Sequence, residues 1–502
     1  MLRKKRYVMS MLILLLAISL LIPYVHAETT DIIEIEDESH DLMSLTYPMS
    51  IYYEPQNSTF FVYQAYDVST LKYYAKTFNH TTDTLSSAFE IGTAYADDPH
   101  YSPAIGYLWN GSLIVFYDSH SYTPGFIKYR VSNGAWNTQA WYSYKTYAGP
   151  FTYPQPVSYS DQLQLFIRYS YGAWDCVWYR YTFNSTGFWL DPVVIVTHYD
   201  PGDGGTWYML FNKDSNDYIY ASGSLSITDT GRRDLYFAYS KDRGYTWKKA
   251  DETPLSLPLG DNMYIGESEH YTTSTFSFNG PDNKPRVIAI QGTVTGDYVT
   301  RLRYGVWNGS GWEIDYLQDE TLNDINVTKS GFQDWGGYPT AYGLAPFRRA
   351  VTNDVAFWFT HNETRKLTLY IGYDETNFIF NRTYTTDITS HYCWSYATEN
   401  QANPFGSFVC VDLIPETNRT LYYVYNQMYI PPSESEQLYN VTIKWYMDRM
   451  TMWIGLGGLF VILIAPIMAF LNAKDHDLDK AFLWLMCILV IGIPLLIAWL
   501  WG

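Results

Sequence analysis

Cysteine is scarce, with four in 502 residues. So few cannot staple a chain of this length, and the absence of any CxxC or HExxH pattern gives no reason to expect a structural or catalytic metal. No organic cofactor is called for by any motif either. Cys393 and Cys410 are spaced to pair across neighbouring strands in an oxidising compartment, Cys487 lies in an apolar C-terminal run, and Cys176 has no evident partner. Basic charge is also short. Lys and Arg number 33 against 51 Asp and Glu, a formal net charge of -18, which repels phosphate backbones and excludes nucleic acid as a partner. Long apolar runs are missing everywhere except at the two ends, and helical periodicity is nearly absent between them.

The ends set the expected location. Arg3, Lys4, Lys5 and Arg6 precede an apolar stretch from Met9 to about Ile22, and Val25-His26-Ala27 offers a small residue for cleavage. Residues 1–27 therefore read as a signal peptide, with an uncleaved anchor as the alternative. At the other end, 452–471 and 482–501 each approach the ~20 apolar residues that a helix needs to cross ~30 Å of hydrocarbon. They read as a transmembrane helical hairpin around a charged cytoplasmic turn, 472–481, preceded by a polar stalk, 431–450. The expectation is a protein of the cell membrane with an extracellular ectodomain. Ten N-x-Ser/Thr sequons, at Asn57, Asn79, Asn110, Asn184, Asn308, Asn326, Asn362, Asn381, Asn418 and Asn440, all precede the first apolar run and agree with a glycosylated surface domain.

What fills that domain is aromatic: 49 Tyr and 18 Trp, in short alternating runs such as Leu113 to Tyr117 and Leu235 to Tyr239. Such alternation is strand chemistry. After an acidic lead-in, 28–41, in which Ile32 to Ile35 can serve as an outer closing strand, residues 42–430 divide into seven similar units. Each runs extended segment, apolar strand, turn, Tyr-rich strand, with starts near Pro48, Ser102, Tyr153, Trp207, Ser274, Gly337 and Ala402. A repeat of this period predicts an all-β, seven-bladed β-propeller, with a β-sandwich array as the competing architecture.

The sharpest local motif is Ser240-Lys-Asp242-Arg-Gly244-Tyr-Thr246-Trp247 after the strand Leu235 to Tyr239. An Asp carboxylate capping backbone amides, a Gly taking the turn and a Trp packing between strands make a structural hairpin. The motif resembles the Asp-box of BNR-repeat propellers, where such boxes sit at blade peripheries, so Asp242 is not expected to be catalytic.

A broader resemblance, over roughly 95 to 260, is to the ulvan-lyase-like group of polysaccharide lyases. Its landmarks are Asp98-Pro-His100 before Ser102-Pro-Ala-Ile105, Phe116-Tyr-Asp-Ser-His120, Tyr153-Pro154 and Leu165-Phe-Ile-Arg168, followed by the run Lys248 to Pro258 after the box. Two histidines, a tyrosine and an arginine in these places line the substrate channel in that group. The resemblance thus implies His100, Tyr153 and Arg168 as catalytic residues and His120 as a substrate contact. This chain departs from the group in placing Pro99 before His100 and Tyr101 after it.

Those side chains suit β-elimination from a uronic acid. Removing the weakly acidic C5 proton needs the adjacent carboxylate neutralised, which a bidentate Arg does, while Tyr153 and His100 share the acid and base roles. The expected partner is a polysaccharide or surface glycan. A non-catalytic propeller, acting as an adhesin, glycan-binding module or surface-layer protein, is the reading from another class. A sialidase is disfavoured because the chain has no Arg-Ile-Pro tripeptide.

Overall fold

The computed structural model describes residues 30–36, 48–67, 69–95, 101–118, 120, 125–170, 176–197, 205–214, 216–227, 231–267, 271–280, 282–292, 300–319, 326–327, 345–348, 355–360, 366–374, 378–389, 408–413 and 419–426. The expected signal peptide, stalk and both apolar spans lie outside these residues, as do Cys393, His100 and the sequons Asn362, Asn418 and Asn440. Among the described residues there is no α-helix, and no helix is long and apolar enough to cross a membrane.

Alternating aromatic and aliphatic runs do form strands, and the strands among the described residues fall into seven sheets in chain order. Their chain-ordered strands open at Ser50, Ala104, Phe151, Thr206, Tyr271, Ala345 and Phe408. The first five openings lie beside the repeat starts legible in the sequence, whereas the last two come later. Within each sheet, neighbours in sequence pair antiparallel, as in the third: Phe151–Ser158, Gln162–Ser170, Cys176–Asn184 and Gly187–Thr197. Residues with left-handed backbone turn several of the hairpins, among them Asn57, Gly111 and Gly309, as such turns require.

The acidic lead-in is only partly a solvated segment. Thr30–Glu36 is a strand pairing antiparallel with Arg419–Asn426, which in turn pairs with Phe408–Leu413. Ile35 is buried, its carbonyl accepts from Lys76 Nζ, and Glu36 accepts from Tyr63 at 3.0 Å. An N-terminal strand therefore completes the C-terminal sheet, because alternating Ile33 and Ile35 need an apolar surface to cover them.

First strands of successive sheets pack on one another: Ser50–Tyr53 on Ala104–Tyr107, that on Phe151–Ser158, and that on Thr206–Lys213. The approach is close. A Cβ at Gly106 would meet Leu163 Cδ1 at 2.7 Å and Pro156 Cβ at 2.9 Å. Apolar clusters fill the spaces between sheets, including one that joins Phe61, Tyr153, Trp178, Trp207 and Trp247. Polar side chains stitch the sheets where backbone groups would otherwise be buried unpaired. Gln155 donates to Met209 O at 2.9 Å and accepts from Phe211 N at 2.8 Å, and Trp178 Nε1 donates to Trp207 O at 3.1 Å.

In such a meander, first-to-second and third-to-fourth turns share one end, and second-to-third connections lie at the other. A groove of 580 Å³ shows the turn ends of four sheets gathered together. Its lining takes Tyr53 and Glu54 from the first sheet, Tyr107, Trp109 and Asn110 from the second, Ser160 from the third and Lys213 from the fourth.

Candidate functional site

The opposite end carries the predicted pair. Tyr153 and Arg168 lie on adjacent strands of the third sheet, where Thr152 pairs with Arg168 and Gln155 with Phe166. Two residues, Tyr153 and Pro154, thus face Ile167 alone, which is a bulge. Tyr153 has φ +57°, a conformation costing a bulky L-residue on the order of 1–3 kcal/mol. The bulge re-aims its side chain, and the Arg168 guanidinium lies 4.2 Å from the ring centroid.

Arg168 is 5 % exposed. Burial opposes its charge, but Cys176, Tyr153 and Tyr208 outweigh burial and hold the guanidinium above its ordinary range, so it stays ionised. No carboxylate pairs with it among the described residues. Its Nε and Nη1 are buried and make no hydrogen bond. Such donors are costly to bury unpaired, and their fork matches a carboxylate.

Sequence reasoning missed Tyr208, whose ring lies 5.1 Å from the guanidinium and 6.1 Å from the Tyr153 ring. It sits near the start of Thr206–Lys213 in the fourth sheet. The Gln155 and Trp178 bonds grip the carbonyls of Met209 and Trp207, fixing the backbone on both sides of Tyr208. The signal available in sequence was only that Tyr208 follows the start of the next repeat unit.

His120 follows the second strand of its own sheet, at the same end as Arg168, which lies within the last turn-distal residues of the second strand of the next. It packs edge-on to Tyr101 at 5.6 Å. Close by, Asp118 is fully buried with φ +55°. It accepts from Tyr73 Oη at 2.7 Å, Tyr95 N at 2.8 Å and Lys128 Nζ at 2.5 Å. That carboxylate is occupied in holding the strand end. Tyr153 and Arg168 are therefore brought together, His120 shares their end of the sheets, and His100 lies outside the described residues.

The Asp-box folds as a closed hairpin turn. Asp242 accepts from Ser240 Oγ at 2.8 Å, Thr246 N at 2.8 Å and Thr246 Oγ1 at 2.7 Å, while Ser240 Oγ accepts from Gly244 N at 2.7 Å. Gly244 has φ +83°, and Trp247 is fully buried with Nε1 donating to Gly244 O. Arg243 reaches Asp161 in the turn between the first two strands of the third sheet. The box thus belongs to the turn end, away from Arg168. Cys176 is a buried free thiol, and among the described residues no cluster of His, Cys, Asp and Glu could hold a metal ion.

The fold is similar to solved polysaccharide lyases. A PL25 ulvan lyase superposes with a TM-score of 0.61 at 17% identity, covering 78% of this chain and 95% of that one. A second structure of a PL25 ulvan lyase, bound to -[GlcA(1-4)Rha3S]-, gives 0.60 at 17% identity over 78% and 95%. The polysaccharide lyase Uly1 gives 0.52 at 12% identity over 80% and 94%. At these identities the likeness shows the fold, a propeller-like arrangement of sheets. A comparison with curated proteins finds no match. The model of the BNR repeat-containing family matches residues 50–314, more than half of the sequence, and the chain belongs to that family.

Proposed function

We propose that this is a seven-bladed propeller that works on glycans, and that it cleaves uronate-containing polysaccharide by β-elimination. The observation that carries the reading is Arg168: a buried, ionised guanidinium with two unpartnered donors, held between two phenol rings. A uronate carboxylate supplies the missing acceptors. Neutralising that carboxylate acidifies the C5 proton and stabilises the charge that develops as it leaves. The C5–H bond breaks, the C4–C5 double bond forms, the C4–O glycosidic bond breaks, and the departing oxygen takes a proton. Tyr153 stands nearest the guanidinium to give or take one of these protons, with His100 as its partner and His120 as a sugar contact. Solved relatives of the same fold include a lyase bound to a glucuronate-rhamnose sulfate unit, which supports the substrate class. The net negative charge of the chain weighs against long-range attraction of a polyanion, so recognition rests on the local guanidinium.

The proposed setting is the outer face of a cell membrane, reached by the signal peptide and kept by the apolar hairpin, with glycan as partner and nucleic acid excluded by charge. The second reading is a non-catalytic glycan-binding propeller. It is favoured by the groove at the turn end, which is lined by Tyr53, Tyr107, Trp109 and Trp136, aromatic side chains suited to contact with a sugar.

The test is to incubate the full chain with a panel of uronate polysaccharides and follow ultraviolet absorbance of the unsaturated uronyl product. Activity should fall at least a hundredfold in Tyr153→Phe and in Arg168→Lys, which keeps charge but loses the fork. Absence of product on every polymer, with binding that is lost in Trp136→Ala, would establish the second reading.

A further inference from the structure

Seven sequons lie within the described residues. Asn326 pairs with Arg301 at the start of the third strand of the fifth sheet, away from its hairpin turn, and Asn381 pairs with Ile371 within the sixth sheet, while the other five share one end. Asn57 lies in the turn between the first two strands of the first sheet, and Asn79 is the last residue of its third strand. Asn110 lies in the first turn of the second sheet. Asn184 and Asn308 are at the tips of third-to-fourth strand hairpins in the third and fifth sheets. Strand parity puts all five at the turn end. The groove joins the turn ends of the first four sheets, and Tyr218, Val287 and Trp312 pack in one cluster that ties the fifth to the fourth. Arg168 pairs with Trp178, whereas Asn184 pairs with Gln162. Six strand residues separate those pairs, about 20 Å.

Local chemistry separates the five. At Asn184 the carboxamide oxygen accepts from Thr186 N at 2.9 Å and Thr186 Oγ1 at 2.7 Å. Asn308 repeats this with Ser310 N at 2.8 Å and Ser310 Oγ at 2.9 Å, and its Nδ2 gives one hydrogen to Glu313 at 2.6 Å. In both, the hydroxyl two residues on engages the oxygen and leaves an Nδ2 hydrogen unused, at a hairpin tip whose next two residues are exposed. Asn57 is the contrary case. Its oxygen accepts from Tyr52, its Nδ2 donates to Thr81 at 3.2 Å, and the sequon's Thr59 is fully buried against His80.

We infer that Asn184 and Asn308, at hairpin tips of the turn end, are N-glycan acceptors in the folded protein and that Asn57 is not. The donor is an oligosaccharide on a polyprenyl phosphate or pyrophosphate. Asparagine Nδ2 attacks the anomeric carbon, the N–C bond forms as the C–O bond to phosphate breaks, the amide gives its proton to the transferase base, and the lipid phosphate leaves. The inference rests on the proposed export but not on lyase activity.

The experiment is glycopeptide mass spectrometry on the full chain from a host that N-glycosylates its surface proteins, with fractionation into surface and cytoplasm. Glycan on the peptides of Asn184 and Asn308, with Asn57 unmodified, is the expected result. The double variant Asn184→Gln, Asn308→Gln should then lose the corresponding mass with its melting temperature unchanged. Surface chain with both peptides bare, or with glycan on Asn57, overturns the inference and leaves export standing. Chain held in the cytoplasm overturns the export reading and this inference with it.

Discussion

A carboxylate in a tight turn and a guanidinium in a buried pocket show how differently one charge is used in this chain. Burial opposes ionisation of Asp242, but hydrogen bonds from Thr246 and Ser240 outweigh it and hold the carboxyl below its ordinary value. A depressed folded-state pKa adds stability that is complete above the unfolded carboxylate range and is lost as pH falls through the folded value. Asp242→Ala should therefore destabilise by about 1–2 kcal/mol at neutral pH, the scale of a lost cap. The difference from wild type should shrink under acid. Thermal melts of both proteins as a function of pH check this, and a gap that persists at the acid end would assign the cost to packing. Arg168, by contrast, has stacked rings where Asp242 has a full set of hydrogen bonds, which is why the first reads as a site and the second as scaffold.

Strands make the site through their neighbours. Gln155 spends both ends of its amide on the backbone of Thr206–Lys213, and Tyr208 lies beside that grip. Gln155→Leu keeps an approximate volume but strands a buried N–H and a buried C=O, at about 1–3 kcal/mol for each group left unsatisfied. The expected outcome is a lower melting temperature together with a raised KM on any uronate polymer, because Tyr208 is no longer fixed against Arg168. A stability loss with KM unchanged would show that Tyr208 is placed by its own packing. The bulge at Tyr153 was half legible: Tyr153-Pro154 signals an irregular strand, but the direction of the side chain depends on the register of the partner strand. Tyr208 was not legible, since no motif marks it and its relation to Arg168 exists only across two sheets.

For the molecule as a whole, closure is made by residues distant in sequence. Thr30–Glu36 covers Arg419–Asn426 and buries Ile35, so the two ends of the sheet series depend on each other. Deleting 30–36 leaves a sheet edge and an apolar face open. It should lower the melting temperature, and accelerate proteolysis within 408–426 more than within 151–197. Limited proteolysis with mass mapping checks it, and uniform protection would mean that the last sheet stands without its closing strand. The same scale places the sequons: turn parity, a property of the whole series of meanders, decides which end each occupies, with Asn184 and Asn308 at hairpin tips and Asn326 at the opposite end of its sheet.

The sequence by itself determined the all-β class, the approximate start of most sheets, the Asp-box turn and the closing role of Ile32 to Ile35, because alternation and turn chemistry act between near neighbours. It also marked Tyr153 and Arg168 as partners through a resemblance. Only the tertiary structure decided that these two stack within reach, that Tyr208 completes them, that Asp118 is consumed by Tyr73 and Lys128, and that Asn57 is bonded to Tyr52 and Thr81 with Thr59 buried beside it while Asn184 stands at a hairpin tip. Those facts depend on which faces of separate sheets meet, and no local pattern encodes a distance between strands that are fifty residues apart.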